Sequence, residues 1–460
     1  MKKKFTVVAV TLLVTACNAT QVSNVEVIEP SHPKNIIMIV GDGMGPAYTS
    51  AYRYFNDDPN TAEIEDTVFD RTLVGMSSTY PAPVSGYVTD SAAGATALSA
   101  GVKTYNGAIG VDVNKQPVET VLERAKSLGK KTGVVVTSQI NHATPASFMA
   151  HNVERGNYNE IADSYIENYT NYDFVLGGGW KFFIREDRNL VTEFQDLGFQ
   201  YIDEYAGLAT LQKDKPVIGL FDEVGLPWAL DDSDPSRLKT MTKAAIKHIE
   251  NEQGFFMLIE ASQVDWGGHS NDIAAAMGEM RDLAMTLEYL EEYVANHPDT
   301  LVVLTADHST GGFTLGSDGK YSWLPEVLRN MQHSPSKIAE KLVDAEITQE
   351  YADELFSFTL TAEELAQLKE AKAPSQEKQQ LDSKGNPYAD TSANIQKKAL
   401  YTAAKHIVDK RTITGWTTGA HTAIDVPVFA FGSQSERFNG LNTNTNIANT
   451  VFSLLGDKSK

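Results

Sequence analysis

After Asn35 the chain runs Ile36-Ile37-Met38-Ile39-Val40 without a polar position, which predicts a strand buried on both faces. Similar runs recur at 133–137, 174–176, 217–221, 255–259, 301–305 and 426–431. Between them, apolar residues fall at helical spacing over 118–128, 158–168, 237–252 and 272–295. This alternation predicts an α/β fold, a largely parallel central sheet with helices on both faces. Such sheets bind ligands beyond the carboxyl ends of their strands. One block breaks the rhythm. From 316 to 411 the chain turns charged and helical, and Thr361 with Glu364 forms a capping-box pattern. Within it, 373–394 is rich in Pro, Gln, Lys and Asp and predicts an exposed loop. The expected organisation is a catalytic domain at 35–315 and 412–460, interrupted by a long helical insertion at 316–411.

The N-terminus changes the picture of where the chain works. Lys2-Lys3-Lys4 precedes an apolar stretch from Phe5 to Val14, too short for a stable membrane span, and this predicts an export signal over 1–17. Val14-Thr15-Ala16-Cys17 matches a bacterial lipobox, and Cys17 is the one cysteine of the chain. Lipidation of Cys17 is favoured over ordinary cleavage nearby, because that cysteine stands at the end of the apolar stretch. Residues 18–34, broken by Pro30 and Pro33, read as a tether. The expectation is a periplasmic or outer-membrane-anchored protein of a Gram-negative bacterium, touching a membrane through that lipid alone. With one cysteine, a disulfide within the chain is excluded.

The 460 residues carry 39 basic and 60 acidic side chains, a formal charge of −21, which argues against nucleic-acid binding. An acidic chain that handles an anion needs a local positive field, and bound metals supply one. Four clusters offer ligands. Asp42 follows the first strand in a Gly41-Asp42-Gly43 turn, and Asp307-His308 follows the strand at 301–305. Asp265 and His269, four apart, follow the strand ending near Glu260, and His421 precedes the last apolar run. Each motif is common alone. Four at one sheet edge suit more than one zinc-like ion, which takes such nitrogen and oxygen ligands and leaves a position open.

Ser91 starts a predicted helix that Gly101 closes. A hydroxyl at the positive end of a helix favours an alkoxide and a bound phosphate. The plain alternative is an N-capping serine. A serine beside divalent metals points to phosphoryl transfer, with Ser91 as the nucleophile.

These motifs resemble the bacterial alkaline phosphatase family, from about residue 35 to the C-terminus. The family's Asp-Ser-Ala nucleophile motif stands as Asp90-Ser91-Ala92, and its Ala-Thr-Pro motif as Ala143-Thr144-Pro145. The resemblance implies hydrolysis of phosphate monoesters at alkaline pH through a phosphoserine on Ser91, with two Zn²⁺ and one Mg²⁺ per chain. It implies one zinc on Asp265, His269 and His421, against the leaving-group oxygen, and a second on Asp42, Asp307 and His308, against Ser91. It implies a third metal on Asp42, Thr144 and Glu260, and phosphate held by Arg155, whose fork grips two oxygens at once. It also implies a homodimer, with the insertion as an arm clasping the second subunit or a lid over the metals. His142 and Trp266 stand where the best-known branch of the family has Asp and Lys, which leaves the third metal's identity open.

Two rival readings remain. One is another hydrolase of the same superfamily, a phosphodiesterase or a sulfatase. These usually place a different residue or context at the nucleophile and lack the set Asp265, His269 and Arg155. The other is an inactive, surface-anchored binding lipoprotein, which should have lost a ligand or the serine. His32, His248, His297, His333 and His406 show no partner at metal spacing, and His151 reads as structural.

Overall fold

The apolar run after Asn35 becomes the middle of a ten-stranded sheet. The computed structural model describes residues 32–373, 378–381 and 387–456, so the expected leader and Cys17 lie outside the described residues. In chain order the strands are β1 (Asn35–Gly41), β2 (Leu73–Ser78), β3 (Lys131–Gln139), β4 (Phe174–Gly178), β5 (Gln200–Ile202), β6 (Val217–Leu220), β7 (Phe255–Ala261), β8 (Thr300–Thr305), β9 (Ser309–Thr310), β10 (Thr314–Leu315), β11 (Lys378–Leu381), β12 (Pro387–Asp390), β13 (Thr414–Gly415), β14 (His421–Thr422), β15 (Val426–Gly432) and β16 (Gly440–Thr443). The large sheet has the order β16-β2-β15-β8-β1-β7-β3-β4-β6-β5. Strand β15 alone runs against its neighbours, β2 and β8. The other pairings of this sheet are parallel.

Alternate residues of β1 feed two cores. Ile37 and Ile39 join the helices Pro46–Asn56, Arg237–Ile249 and Ile273–Asn296 on one face. Ile36, Met38 and Val40 join Ser91–Ala100, Val121–Ser127, Ala143–Met149, Tyr158–Glu167 and Asn444–Leu455 on the other. Full burial on both sides explains the unbroken apolar runs. No helix among the described residues is long and apolar enough to cross a membrane.

The block from 316 to 411 is largely helical, as expected, and Ile338, Leu342, Leu400 and Ala404 share the first core. The capping box forms: Thr361 N–H donates to Glu364 Oε2 at 2.7 Å, and Glu364 N–H to Thr361 Oγ1 at 3.2 Å. The exposed loop expected over 373–394 is corrected in part. Strands β11 and β12 pair antiparallel, with Lys378 opposite Asp390, and a helix begins at Ser392. A two-stranded ladder needs no apolar face, so its polar sequence carries no strand pattern.

Candidate active site

The carboxyl ends of β1, β7 and β8 bring the acidic clusters together, and β15, being reversed, brings His421 to the same edge from its amino end. Asp42 follows β1 directly, and the turn is tight. A Cβ on Gly43, at φ 71°, would fall 2.7 Å from Asp265 Cα and 2.8 Å from Thr310 Oγ1. Asp265 and His269 lie one turn apart on the short helix Gln263–His269, which puts both on one face. Strand β14 pairs with β9, setting His421 opposite Thr310.

Three imidazoles are aimed by their far nitrogens. His269 Nδ1 lies 2.7 Å from the Gly419 carbonyl, and His421 Nδ1 lies 2.9 Å from that of Thr89. Thr310 Oγ1 donates to Asp265 Oδ1, so it accepts from His308 Nδ1, 3.2 Å away. In each ring the hydrogen is therefore on Nδ1, and Nε2 presents a lone pair. Those lone pairs converge. The Nε2 atoms of His269 and His421 are 3.0 Å apart, and Asp265 oxygens lie 3.4 Å and 3.7 Å from them. His308 Nε2 lies 3.4 Å from Asp42 Oδ1 and 3.2 Å from Asp307 Oδ2. The rings of His308 and His421 stack at 3.5 Å.

Lone pairs facing carboxylates repel, and the unpartnered atoms mark the same place. Both carboxylate oxygens of Asp42, Asp307 Oδ2, Glu260 Oε1, Thr144 Oγ1 and His142 Nδ1 are buried with no hydrogen bond among the described residues. The oxygens among these orphans are costly to leave buried unless a cation satisfies them. Donor atoms within 4.8 Å of one another form three groups: Asp265 with His308 and His421, Asp42 with Asp307 and His308, and Asp42 with His142 and Glu260. Titration behaviour agrees. Burial, then the charges of Asp307, Asp265 and Glu260, hold the Asp42 carboxyl well above its usual range. Burial pushes Glu260 up to about 7 and holds His308 well below the ordinary imidazole value. Asp42 is thus a carboxylate crowded by negative neighbours without a counter-charge, a shift that a bound cation reverses, while His308 is held neutral, the form that ligates a metal. The residues therefore fit divalent metals.

Ser91 stands at the first position of the helix Ser91–Ala100, and Asp90 is the cap, accepting from Ala93 N–H at 2.9 Å. The capping role thus falls to Asp90 and leaves the serine free. The Ser91 hydroxyl donates to His308 Nε2 at 3.1 Å. Gly94 lets this helix close on Asp307, because a Cβ there would lie 3.0 Å from the Asp307 carbonyl oxygen. Arg155 donates from Nη1 to Asp90 Oδ2 at 3.1 Å and from Nη2 to His142 Nε2 at 3.3 Å. His142 must be neutral to accept, and burial, then Arg155 and His269, lower it to about 3. Its ring meets Trp266 edge to face at 5.9 Å.

The sequence pattern missed some participants. Thr310 bridges Asp265 to His308, and Ser262 Oγ and Ser138 Oγ donate to Glu260 Oε2 at 2.6 Å and 3.4 Å. The signal open to reading was position: Thr310 lies two beyond His308, and Ser262 two beyond Glu260. His151 joins none of the three groups and lies 3.0 Å from Glu123 Oε1. Trp323 and Trp416 donate to Thr414 and Asp409 and pack as structural aromatics.

A family model described as alkaline phosphatase matches residues 33–456. Alkaline phosphatase 3 of Bacillus subtilis is 44% identical over 432 residues, spanning 92% of this chain and 89% of that protein. A solved cold-active alkaline phosphatase from a psychrophilic Shewanella sp. is 47% identical, with a TM-score of 0.84 over 92% of this chain and 100% of that one. The alkaline phosphatase of the Antarctic bacterium TAB5 is 27% identical, with a TM-score of 0.66 over 93% of this chain and 99% of that one. A His-to-Asp variant of the TAB5 enzyme has been solved with magnesium in its M3 site.

Proposed function

The chain belongs to the alkaline phosphatase family and hydrolyses phosphate monoesters, and we propose that it does so through Ser91 as a covalent nucleophile. The observation that carries this reading is the set of buried, unpartnered oxygens of Asp42 and Asp307 beside His308, whose Nε2 faces the Ser91 hydroxyl. Asp265, His269 and His421 would hold one zinc, Asp42, Asp307 and His308 a second, and Asp42, Thr144 and Glu260 a magnesium-like ion beside His142. Such ions, when bound, neutralise phosphoryl charge and ease loss of a hydroxyl proton.

The side chains divide the remaining work. Ser91 Oγ attacks phosphorus as its proton passes to water. The bond from phosphorus to the ester oxygen breaks, and the alcohol departs with a proton taken from water. Water then attacks phosphorus, the bond from phosphorus to Ser91 Oγ breaks, the water's oxygen stays on the phosphate, and Ser91 Oγ takes up the proton that the water gives. Helix-terminal N–H groups beside Ser91 favour the phosphoryl anion. Arg155, already anchored to Asp90, turns its fork toward two phosphoryl oxygens, while Trp266 and His142 wall the phosphate side.

The lysine-led apolar start of the chain supports export, with Cys17 as a lipid anchor, and the insertion supports a homodimer arm or a lid. The reading as a whole is tested with p-nitrophenyl phosphate. The protein as isolated should turn it over, chelation with EDTA should abolish turnover, and zinc with magnesium should restore it. Turnover untouched by exhaustive chelation would rule out the metal assignment.

A further inference from the structure

The helix Ser392–Thr412, the last element of the insertion, is tied by side chains to the ligand-bearing loops. Lys405 donates from Nζ to the Ser270 carbonyl, one residue beyond His269. Tyr401 donates its hydroxyl to Asp272 Oδ2 at 3.0 Å. The Lys405 ammonium lies 4.6 Å from the Tyr401 ring centroid, which couples the two side chains. Farther along, Asp409 Oδ1 accepts from Trp416 Nε1 at 3.2 Å. The Trp416 ring then covers Gly311, where a Cβ would fall 2.7 Å from the indole.

In the turn that these residues grip, Asn271 sits in the left-handed region at φ 49°, which asparagine tolerates better than most residues, and its own side chain helps to hold it. Its Nδ2 donates to the carbonyls of Gly268 and Thr418, each at 2.9 Å. Asp272 is the cap of the helix Ile273–Asn296, accepting from Ala275 N–H at 3.0 Å. His269 is also the least enclosed of its group. Its side chain is 41% exposed, against 12% for His421 and 3% for Asp265. Packing does not fix an imidazole that open. Its aim depends on one hydrogen bond to Gly419 and on the backbone that carries it.

We propose that Tyr401 and Lys405 are positioning residues for His269. They pin the turn 270–272 from the insertion's last helix and so keep His269 Nε2 facing His421 and Asp265. In this reading the helix is a brace beneath the exposed edge of the metal pair, whatever else the insertion does. The proposal rests on His269 being a metal ligand. Outer-shell partners of this kind change metal affinity by about 10–100-fold.

The test is zinc release from the zinc-loaded full-length protein into excess chelator, followed with a colour indicator and set beside melting curves. Tyr401→Phe and Lys405→Met should each release one zinc per chain about tenfold faster than the parent, and Lys405→Arg should stay near it. Leu400→Ala serves as the control, since Leu400 is fully buried on the same helix and belongs to the core. It should lower Tm without hastening release well below that Tm. Parental release in both Tyr401→Phe and Lys405→Met would overturn the proposal. So would an acceleration that Leu400→Ala matches at equal loss of Tm. Full zinc content and parental release in His269→Ala would overturn the metal reading of His269, and the proposal with it.

Discussion

At the scale of single residues, the roles separate by what each substitution should spare. Ser91→Ala should lower kcat on the order of 10³-fold or more and leave metal content intact, since the hydroxyl is the attacking atom. Elemental analysis beside the kinetics checks both halves. Thr310→Val removes the hydroxyl that joins Asp265 to His308 and frees His308 Nδ1. Zinc affinity should fall about 10–100-fold, with Thr310→Ser recovering most of it. Competition against a chelator reads this directly, and an unchanged affinity would show that His308 is oriented by something else. Arg155→Lys keeps the charge but not the fork. Losing one charge-assisted bond should raise KM and weaken phosphate inhibition by about tenfold, with zinc unaffected. Equal inhibition by phosphate in both proteins would remove Arg155 from the phosphate site.

At the scale of elements, the insertion helix carries its own titration. Burial, the larger cause, together with the charge of Asp272, pushes the Asp409 carboxyl up to about 7 from 3.8. A raised carboxyl contributes stability that is fully present below 3.8 and is lost as pH rises through about 7. Asp409→Asn keeps an acceptor for Trp416 and cannot ionise. Its Tm should match the parent's at low pH and exceed it above that window, and parallel Tm curves across the window would contradict this. Elements also show how far the sequence could be read. Strands β1, β7 and β8 were legible because burial on both faces leaves a pure apolar run. Strand β2 was not, because Gly75 and two serines interrupt any apolar run over Leu73–Ser78. The structure needs that glycine, since a Cβ there would fall 2.1 Å from the Gly440 carbonyl oxygen. Strands β5 and β16 are three and four residues long, too short for periodicity to register. Asp42, Asp265, His269, Asp307, His308 and His421 announced themselves by motif and spacing, whereas Glu260, Arg155 and His142 entered through the family resemblance. The hydroxyls of Thr310, Ser138 and Ser262 did not, because serine and threonine are common everywhere and only the fold brings them to Asp265, His308 and Glu260.

At the scale of the whole molecule, an acidic chain of formal charge −21 converges four carboxylates, Asp42, Glu260, Asp265 and Asp307, at the centre of its sheet edge. That arrangement ties stability to metal. Stripped of divalent ions, the protein should melt at a lower temperature and recover on addition of zinc, because ligands that bind only the folded state stabilise it by mass action. Identical melting with and without metal would mean that the buried carboxylates are balanced in some other way. The central claim is a covalent one, that phosphate passes through Ser91, and it is tested most directly by trapping. Metal-replete protein incubated with inorganic phosphate and quenched in acid should yield, on peptide mapping by mass spectrometry, a phosphate adduct on the peptide bearing Ser91. The adduct should be absent from Ser91→Ala. An adduct on another residue, or its persistence in Ser91→Ala, would contradict the account.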